Sequence, residues 1–254
     1  GFHRLSINGL NPKAHQPLFL DHTITVCNGE IWNSTEMHRS CDKTNDSGSD
    51  CECLPLFYRD IIENTTKKHE EPFETLCNVI NGVFGLVLFD RLNNHIYVAR
   101  DRVGIRSLYY AIEKQGDTAR ENLFVASEMK SIPTTFSNVH AFPPGHWGCF
   151  PIHANTSPQH TFETRPYWTL RASRRLAYLQ PDCSPENVPQ QIDYIDCCDK
   201  LQIALIHAVE RRFMSDRSIG CVLSGGLDST VITAIACMLH KQKHPDAPPL
   251  RSYT

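Results

Sequence analysis

Ser224-Gly225-Gly226-Leu227-Asp228-Ser229-Thr230 stands between two apolar segments of different length. The segment before it, Ile219-Gly220-Cys221-Val222-Leu223, has the size of a buried strand. The segment after it, Val231-Ile232-Thr233-Ala234-Ile235-Ala236-Cys237-Met238-Leu239, is long enough for a helix. A strand, a glycine turn and a helix start together make an anion site. Paired glycines let the backbone approach a ligand without interference from Cβ. The N–H groups of a first helical turn lack intrahelical partners, and the helix dipole favours negative charge there. Ser224, Ser229 and Thr230 add hydroxyl donors. The chain has no Gly-x-x-x-x-Gly-Lys-Ser/Thr, which excludes the Walker-type phosphate loop. Ser-Gly-Gly alone favours a plain strand–turn–helix with a Gly-Gly turn. The Asp-Ser that follows, between a strand and a helix, singles this stretch out.

The seven-residue pattern, with its flanking Val222 and Leu223, resembles the pyrophosphate-binding loop of ATP pyrophosphatases, which split ATP between its α and β phosphates. The resemblance implies ATP as the ligand and pyrophosphate as the part gripped. A carboxylate beside phosphates is otherwise unfavourable, so Asp228 is read as helping to carry Mg²⁺ with the nucleotide.

Composition sets wide bounds. The 254 residues allow one large domain or two smaller ones. With 41% apolar and 21% charged residues the chain belongs to the globular class. A net charge of −3 gives no reason to expect a nucleic-acid surface. No apolar run approaches the ~18 residues of a membrane helix. The opening Gly1-Phe2-His3 has neither a charged n-region nor an apolar h-region, so no signal peptide is expected. Eleven scattered cysteines, without a Cys-x-x-Cys pair, read as free thiols in a reducing cytosol rather than as a zinc site or a disulfide frame. Asn-x-Ser/Thr triplets at Asn33, Asn45, Asn64 and Asn155 are then chance matches.

Up to about residue 168 the chain reads as β-rich with one helix. Ile24–Cys27 is a strand that Asn28-Gly29 ends, and Leu54–Glu63 has helical spacing. Val83–Phe89 and His95–Ala99 flank a turn, and Leu108–Ala111 and Leu123–Ala126 repeat the pattern. Residues 171–192, rich in Pro and Ser, read as a linker. Helical periodicity resumes from Cys198 to Phe213, and Leu250–Thr254 opens a further strand that a βαβ unit requires.

Four further stretches matter by their order: Arg4-Leu5-Ser6-Ile7-Asn8, Asn28-Gly29-Glu30-Ile31-Trp32-Asn33, Gly48-Ser49-Asp50-Cys51-Glu52 and Arg100-Asp101-Arg102-Val103-Gly104-Ile105-Arg106. Singly each has a bland reading: a surface charge, a hairpin turn, a helix cap. Together they resemble the glutaminase domain of the class II, N-terminal-nucleophile amidotransferases. With the downstream loop, the chain resembles the glutamine-dependent asparagine synthetases. Phe84–Asp90, Ser127-Glu128-Met129-Lys130, Phe142–His146 and Arg211–Asp216 extend the match. Inserts near 38–47, 113–121, 151–163 and 171–192 lack counterparts. Trp32 stands where tyrosine is usual, and Ser107 where proline is usual.

The resemblance implies an αββα sandwich over 1–170, truncated at its N-terminus. It implies the opening of a parallel α/β ATP-pyrophosphatase domain over 193–254, truncated at its C-terminus. Arg4 would grip the α-carboxylate of glutamine, where a planar guanidinium suits a carboxylate. Leu5, Ser6, Ile7 and Asn8 would shape the same edge, Asp50 would pair with the α-ammonium, and Glu30 would bond the amine or amide end. Asn28 and the Gly29 N–H would form the oxyanion hole. Arg100–Arg106 is expected to be structural at least as much as functional. The family's cysteine nucleophile has no match among the eleven cysteines, so the chain is expected to be an inactive internal fragment. Glutamine, aspartate and ATP are the implied substrates, and a homodimer is compatible with the resemblance. Two alternatives stay open: a ring-closing relative of the β-lactam synthetase kind, and a catalytically silent binding protein that kept the fold.

Overall fold

The computed structural model describes residues 5–64, 71–114, 121–152, 162–169 and 194–254. Arg4 and the 171–192 linker lie outside the described residues. The chain divides into two compact units, Gly1–Ala177 and Tyr178–Thr254.

In the first unit, β1 (Leu18–Leu20), β2 (Thr23–Ile31), β3 (Gly82–Asp90), β4 (His95–Arg100), β8 (His146–Pro151) and β9 (Thr164–Pro166) form an antiparallel sheet in the order β1-β2-β3-β4-β8-β9. Between β4 and β8 in sequence, β5 (Tyr109–Lys114), β6 (Glu121–Ala126) and β7 (Val139–Ala141) make a second sheet, ordered β6-β5-β7. Helices α1 (Ser34–Ser40), α2 (Cys53–Asn64) and α3 (Pro72–Val79) supply another layer.

The run Val83–Phe89 is almost wholly apolar because β3 is covered on both faces. Leu86 and Leu88 join Tyr97 and Ala99 of β4 in a core shared with Leu54, Tyr58, Phe73 and Leu76 of the helices. Val87, Ile96 and Val98 point the other way, against Leu108, Tyr110 and Phe142 on the second sheet's side. Phe73 stacks on Tyr97 with ring centroids 4.8 Å apart, an arrangement worth about 0.5–1.5 kcal/mol beyond area burial. These are three layers, α–β–β, of the αββα class.

The structure departs from the sequence reading in two places. Among the described residues up to about 168 there are three α-helices, not one. α1 carries Met37 as its single large apolar residue, and α3 is eight residues long, so neither builds a readable period. Asn28-Gly29 also does not end its strand. β2 pairs with β3 without a break from Thr23↔Asp90 to Ile31↔Gly82. Gly29 answers a close approach rather than a turn: a Cβ there would lie 2.1 Å from the Val83 carbonyl oxygen.

The second unit holds α4 (Tyr194–Arg211), β10 (Gly220–Val222), α5 (Leu227–Lys243) and β11 (Arg251–Tyr253). β10 and β11 pair in parallel, joined through α5 in a βαβ unit. Val209, Ala236 and Leu239 are buried between its helices, with Cys221 and Leu250 packed against them. α5 begins at Leu227, four residues before the apolar run, so the Asp-Ser-Thr of the glycine loop forms its first turn. None of the described helices is long and apolar enough to cross a membrane.

Candidate functional site

The first site is built on a free strand edge. β1 pairs with β2 only over Thr23–Thr25. Beyond that, the amides on this side of β2 must find other partners. The Cys27 N–H donates to Gln16 Oε1 at 2.6 Å, and Gln16 Nε2 donates back to the Cys27 carbonyl at 3.0 Å. The Ile31 N–H donates to Asp50 Oδ2 at 2.7 Å. Backbone groups alternate sides along a strand, so the Gly29 N–H, midway between these two, leaves β2 on the same side.

Asp50 reaches this edge from a short 3-10 turn, Asp50–Glu52, whose first N–H groups are organised by Ser49. The Ser49 hydroxyl accepts from the Cys51 N–H at 3.3 Å. The loop before it is tied down by Ser47, which donates from both its N–H and its hydroxyl to Glu52 Oε2. Asn11 Nδ2 donates to the Ser47 carbonyl at 2.6 Å. The buried carboxylate of Asp50 is therefore held on a braced segment rather than on a free loop.

A cavity of about 140 Å³ opens here, lined by Leu5, Ile7, Asn8, Asn28, Gly29, Glu30 and Asp50. Ser6 is not among the lining residues, although its neighbours on both sides are. Gln16, Cys27, Cys51 and Arg106 complete the wall. The two cysteines also belong to the core under the helices, which accords with a reading as buried thiols. Chemically the cavity offers two carboxylates, three side-chain amides, a guanidinium and an outward backbone N–H. That set suits a ligand carrying an ammonium group at one end and a carbonyl at the other.

Arg106 was not singled out as a ligand-facing residue. Its Nη2 donates to Glu30 Oε1 at 3.2 Å, and its Nε is buried without a hydrogen-bond partner. The preceding residues explain how it gets there. The fully buried Asp101 accepts from the N–H groups of Ile105 and Arg106, each at 2.9 Å, and of Val103 at 3.2 Å. The Arg100 guanidinium donates to the carbonyls of Arg106 (2.7 Å), Gly104 (2.8 Å) and Phe142 (2.8 Å). Arg100 and Asp101 thus form a frame, and Arg106 is the part of the motif that faces the cavity. The signal was in the sequence, but the spacing alone does not separate frame from face.

The second site is the glycine loop. Val222 ends β10, and the Leu223 N–H donates to the Tyr253 carbonyl at 2.8 Å, which aligns the loop with the end of the parallel pair. Gly225 has φ +82°, and a Cβ there would meet nothing within 4 Å. Its left-handed backbone, not crowding, is what demands glycine. Ser224 and Ser229 hydroxyls lie 3.0 Å apart, and Ser229 and Thr230 hydroxyls donate to the Gly226 carbonyl at 3.0 and 2.8 Å. No side chain caps the start of α5. Gly226, Leu227 and Asp228 are exposed, so first-turn donors and one carboxylate face solvent together at a strand's C-terminal end. No group of three or more His, Cys, Asp or Glu placed to hold a metal ion occurs among the described residues. A lone carboxylate beside bare helix-start amides fits a Mg²⁺ that arrives with phosphates better than one caged by protein.

Two protein families match different parts of this chain. The glutamine amidotransferase domain family matches residues 2–134, and the asparagine synthase family matches residues 200–254. A probable glutamine-hydrolysing asparagine synthetase of Acanthamoeba polyphaga mimivirus is 32% identical over 249 residues, covering 94% of this chain and 41% of that protein. The corresponding synthetase of Brassica oleracea is 31% identical over 243 residues, 90% of this chain and 35% of its own length. The human one is 30% identical over 253 residues, 92% of this chain and 40% of its own. The chain therefore spans well under half the length of these relatives. Over half of it matches the glutamine amidotransferase domain family and its last part matches the asparagine synthase family, so the chain belongs to the glutamine amidotransferase domain family.

Proposed function

We propose that this chain carries the glutamine-holding wall of a class II glutaminase site and the pyrophosphate-gripping loop of the synthetase that consumes the released ammonia. The observation behind this reading is the convergence of Leu5, Ile7, Asn8, Asn28, Gly29, Glu30 and Asp50, from three separate stretches of sequence, on one cavity.

In that cavity the α-ammonium of glutamine pairs with Asp50, and Arg4, outside the described residues, is assigned the α-carboxylate. The side-chain carbonyl oxygen lies between Asn28 Nδ2 and the Gly29 N–H. As the amide carbon becomes tetrahedral, negative charge develops on that oxygen, and two fixed donors stabilise it more than they stabilise the ground state. Glu30, held by Arg106, accepts from the substrate's nitrogen. In the second unit ATP is a substrate. An aspartate side-chain carboxylate attacks the α-phosphorus, and pyrophosphate leaves into the amides and hydroxyls of Ser224–Thr230. Ammonia then displaces AMP from the β-aspartyl adenylate to give asparagine. Mg²⁺ bound with the nucleotide would spread the phosphate charge, and Asp228 is the acid placed to meet it. The assembled amino-acid pocket favours this reading over a ring-closing relative, and the uncapped helix start favours it over a silent binding protein. The cytosol is the compartment we assign, because all ten described cysteines are free thiols.

The test is the Arg4→Ala variant of the complete enzyme. Losing one side of a charge-assisted pair costs about 2–5 kcal/mol, so KM for glutamine should rise roughly 30-fold or more. Synthesis driven by added ammonia should not change. Equal losses with both nitrogen sources would overturn the reading.

A further inference from the structure

The side chain that supplies half of the proposed oxyanion hole has a partner that nothing above assigns. Asn28 Nδ2 donates to Ser127 Oγ at 2.9 Å. The two residues are 99 positions apart, one in the first sheet and the other just past a strand of the second. Asn28 lies on β2, and Ser127 directly follows the last residue of β6. Ser127 is itself tied: its carbonyl accepts from the Ser107 hydroxyl at 2.7 Å. Ser107 in turn closes the Arg100–Arg106 frame, which Asp101 and Arg100 hold rigidly. A chain of bonds therefore runs from a braced loop, through a backbone carbonyl and a hydroxyl, to the amide in the cavity wall.

We infer that Ser127 is a positioning residue for glutamine hydrolysis, acting through Asn28, with Ser107 as its anchor. This rests on the oxyanion role proposed for Asn28. A primary amide has two faces of opposite character, an NH₂ donor and a C=O acceptor. Turned by half a revolution, Asn28 would present its carbonyl to a developing oxyanion and oppose the reaction. Its NH₂ carries two hydrogens. One is spent on Ser127 Oγ, which holds the nitrogen at a fixed point and leaves the second hydrogen for the substrate oxygen. Without Ser127 the amide can rotate about χ2, a broad torsion with no steep intrinsic preference. The donor is then present but correctly aimed only part of the time. Ser127 does not touch the substrate in this scheme.

The consequence is confined to the chemical step. Removing an oxyanion donor outright typically costs ~10²–10³ in rate, and mispositioning one costs up to about the lower of these. In the complete enzyme, Ser127→Ala should lower kcat for glutamine hydrolysis by roughly 10- to 100-fold. KM for glutamine should stay within about twofold, because ground-state binding uses Arg4 and Asp50. Ser127→Thr, which keeps the hydroxyl, should restore most of the rate. Ser107→Ala should show a smaller loss of the same kind. Ammonia-driven synthesis should be unchanged in all three, which also reports that the protein folds. The deciding comparison is the double variant. In an Asn28→Ala background, Ser127→Ala should cause no further loss, since there is no amide left to aim. Losses that multiply in the double variant would overturn the inference, as would a full rate in Ser127→Ala alongside a crippled Asn28→Ala. A fully active Asn28→Ala would instead remove the oxyanion reading itself, and the inference with it.

Discussion

At the residue scale, Gly29 shows how one position serves two needs. Its N–H faces the cavity, and its missing Cβ lets β3 come close. A methyl group there would meet the Val83 oxygen at 2.1 Å and the Phe84 Cα at 2.7 Å, both of them backbone atoms that cannot swing aside. Gly29→Ala should therefore push β2 and β3 apart rather than merely fill a gap. Overpacking of this kind typically costs about 1–3 kcal/mol. It should be visible as a lower melting temperature of the first unit, together with loss of glutamine hydrolysis. An unchanged melting curve would refute the packing argument. The sequence made Asn28-Gly29 prominent, and its likeness to an oxyanion pair was legible. Its place inside a nine-residue strand was not, because Asn-Gly is also the commonest short hairpin signal. Only the ladder with β3 decides between these.

At the scale of elements, α1 buries a histidine that the proposed chemistry does not use. His38 is buried, and neither ring nitrogen has a hydrogen-bond partner. Burial pushes its pKa below the ordinary value of 6.5, and the nearby carboxylates of Glu52 and Asp46 offset this only in part. The unfolded chain thus binds the proton more readily than the folded one. Stability is fully present above about pH 6.5 and is lost as the pH falls below that value toward the depressed pKa. Denaturation at pH 7.5 and pH 5.5 should show this loss. His38→Leu, which removes the unpaired polar group, should flatten the dependence. An equal slope in the variant would assign the effect to other groups. α1 itself escaped sequence reading for a related reason. Met37 is its one large apolar residue, and much of what it buries is polar, so no hydrophobic period marks it. α2, with a wide apolar face, was plain.

At the scale of the whole molecule, two units carry two sites with different dependencies. Asp228 sits in the first turn of α5, where the exposed loop has no other carboxylate. In the complete enzyme, Asp228→Asn should reduce ATP–pyrophosphate exchange by at least tenfold, which corresponds to about 1.4 kcal/mol of lost interaction. Glutamine hydrolysis should persist. Retained exchange would remove the metal-bearing role, and parallel loss of both activities would show damage to the fold. This pattern is the reverse of the one expected for Arg4→Ala, so the pair of variants separates the two sites by assay alone.

The sequence alone was enough for the strand–glycine–helix loop. Its features depend on neighbours in the chain: φ freedom at Gly225, unpartnered first-turn amides, hydroxyls at short spacing. It was enough too for the ordered motifs that mark the upstream pocket. Other features were decided by the tertiary structure, because they join positions far apart in sequence. The free edge of β2 exists because β1 begins only at Leu18, opposite Thr25. Arg106 faces the cavity because Asp101 and Arg100 fold its loop back. Asn28 is aimed by Ser127 because the two sheets stack. No local pattern encodes a bond across 99 residues; it exists only once both cores have closed.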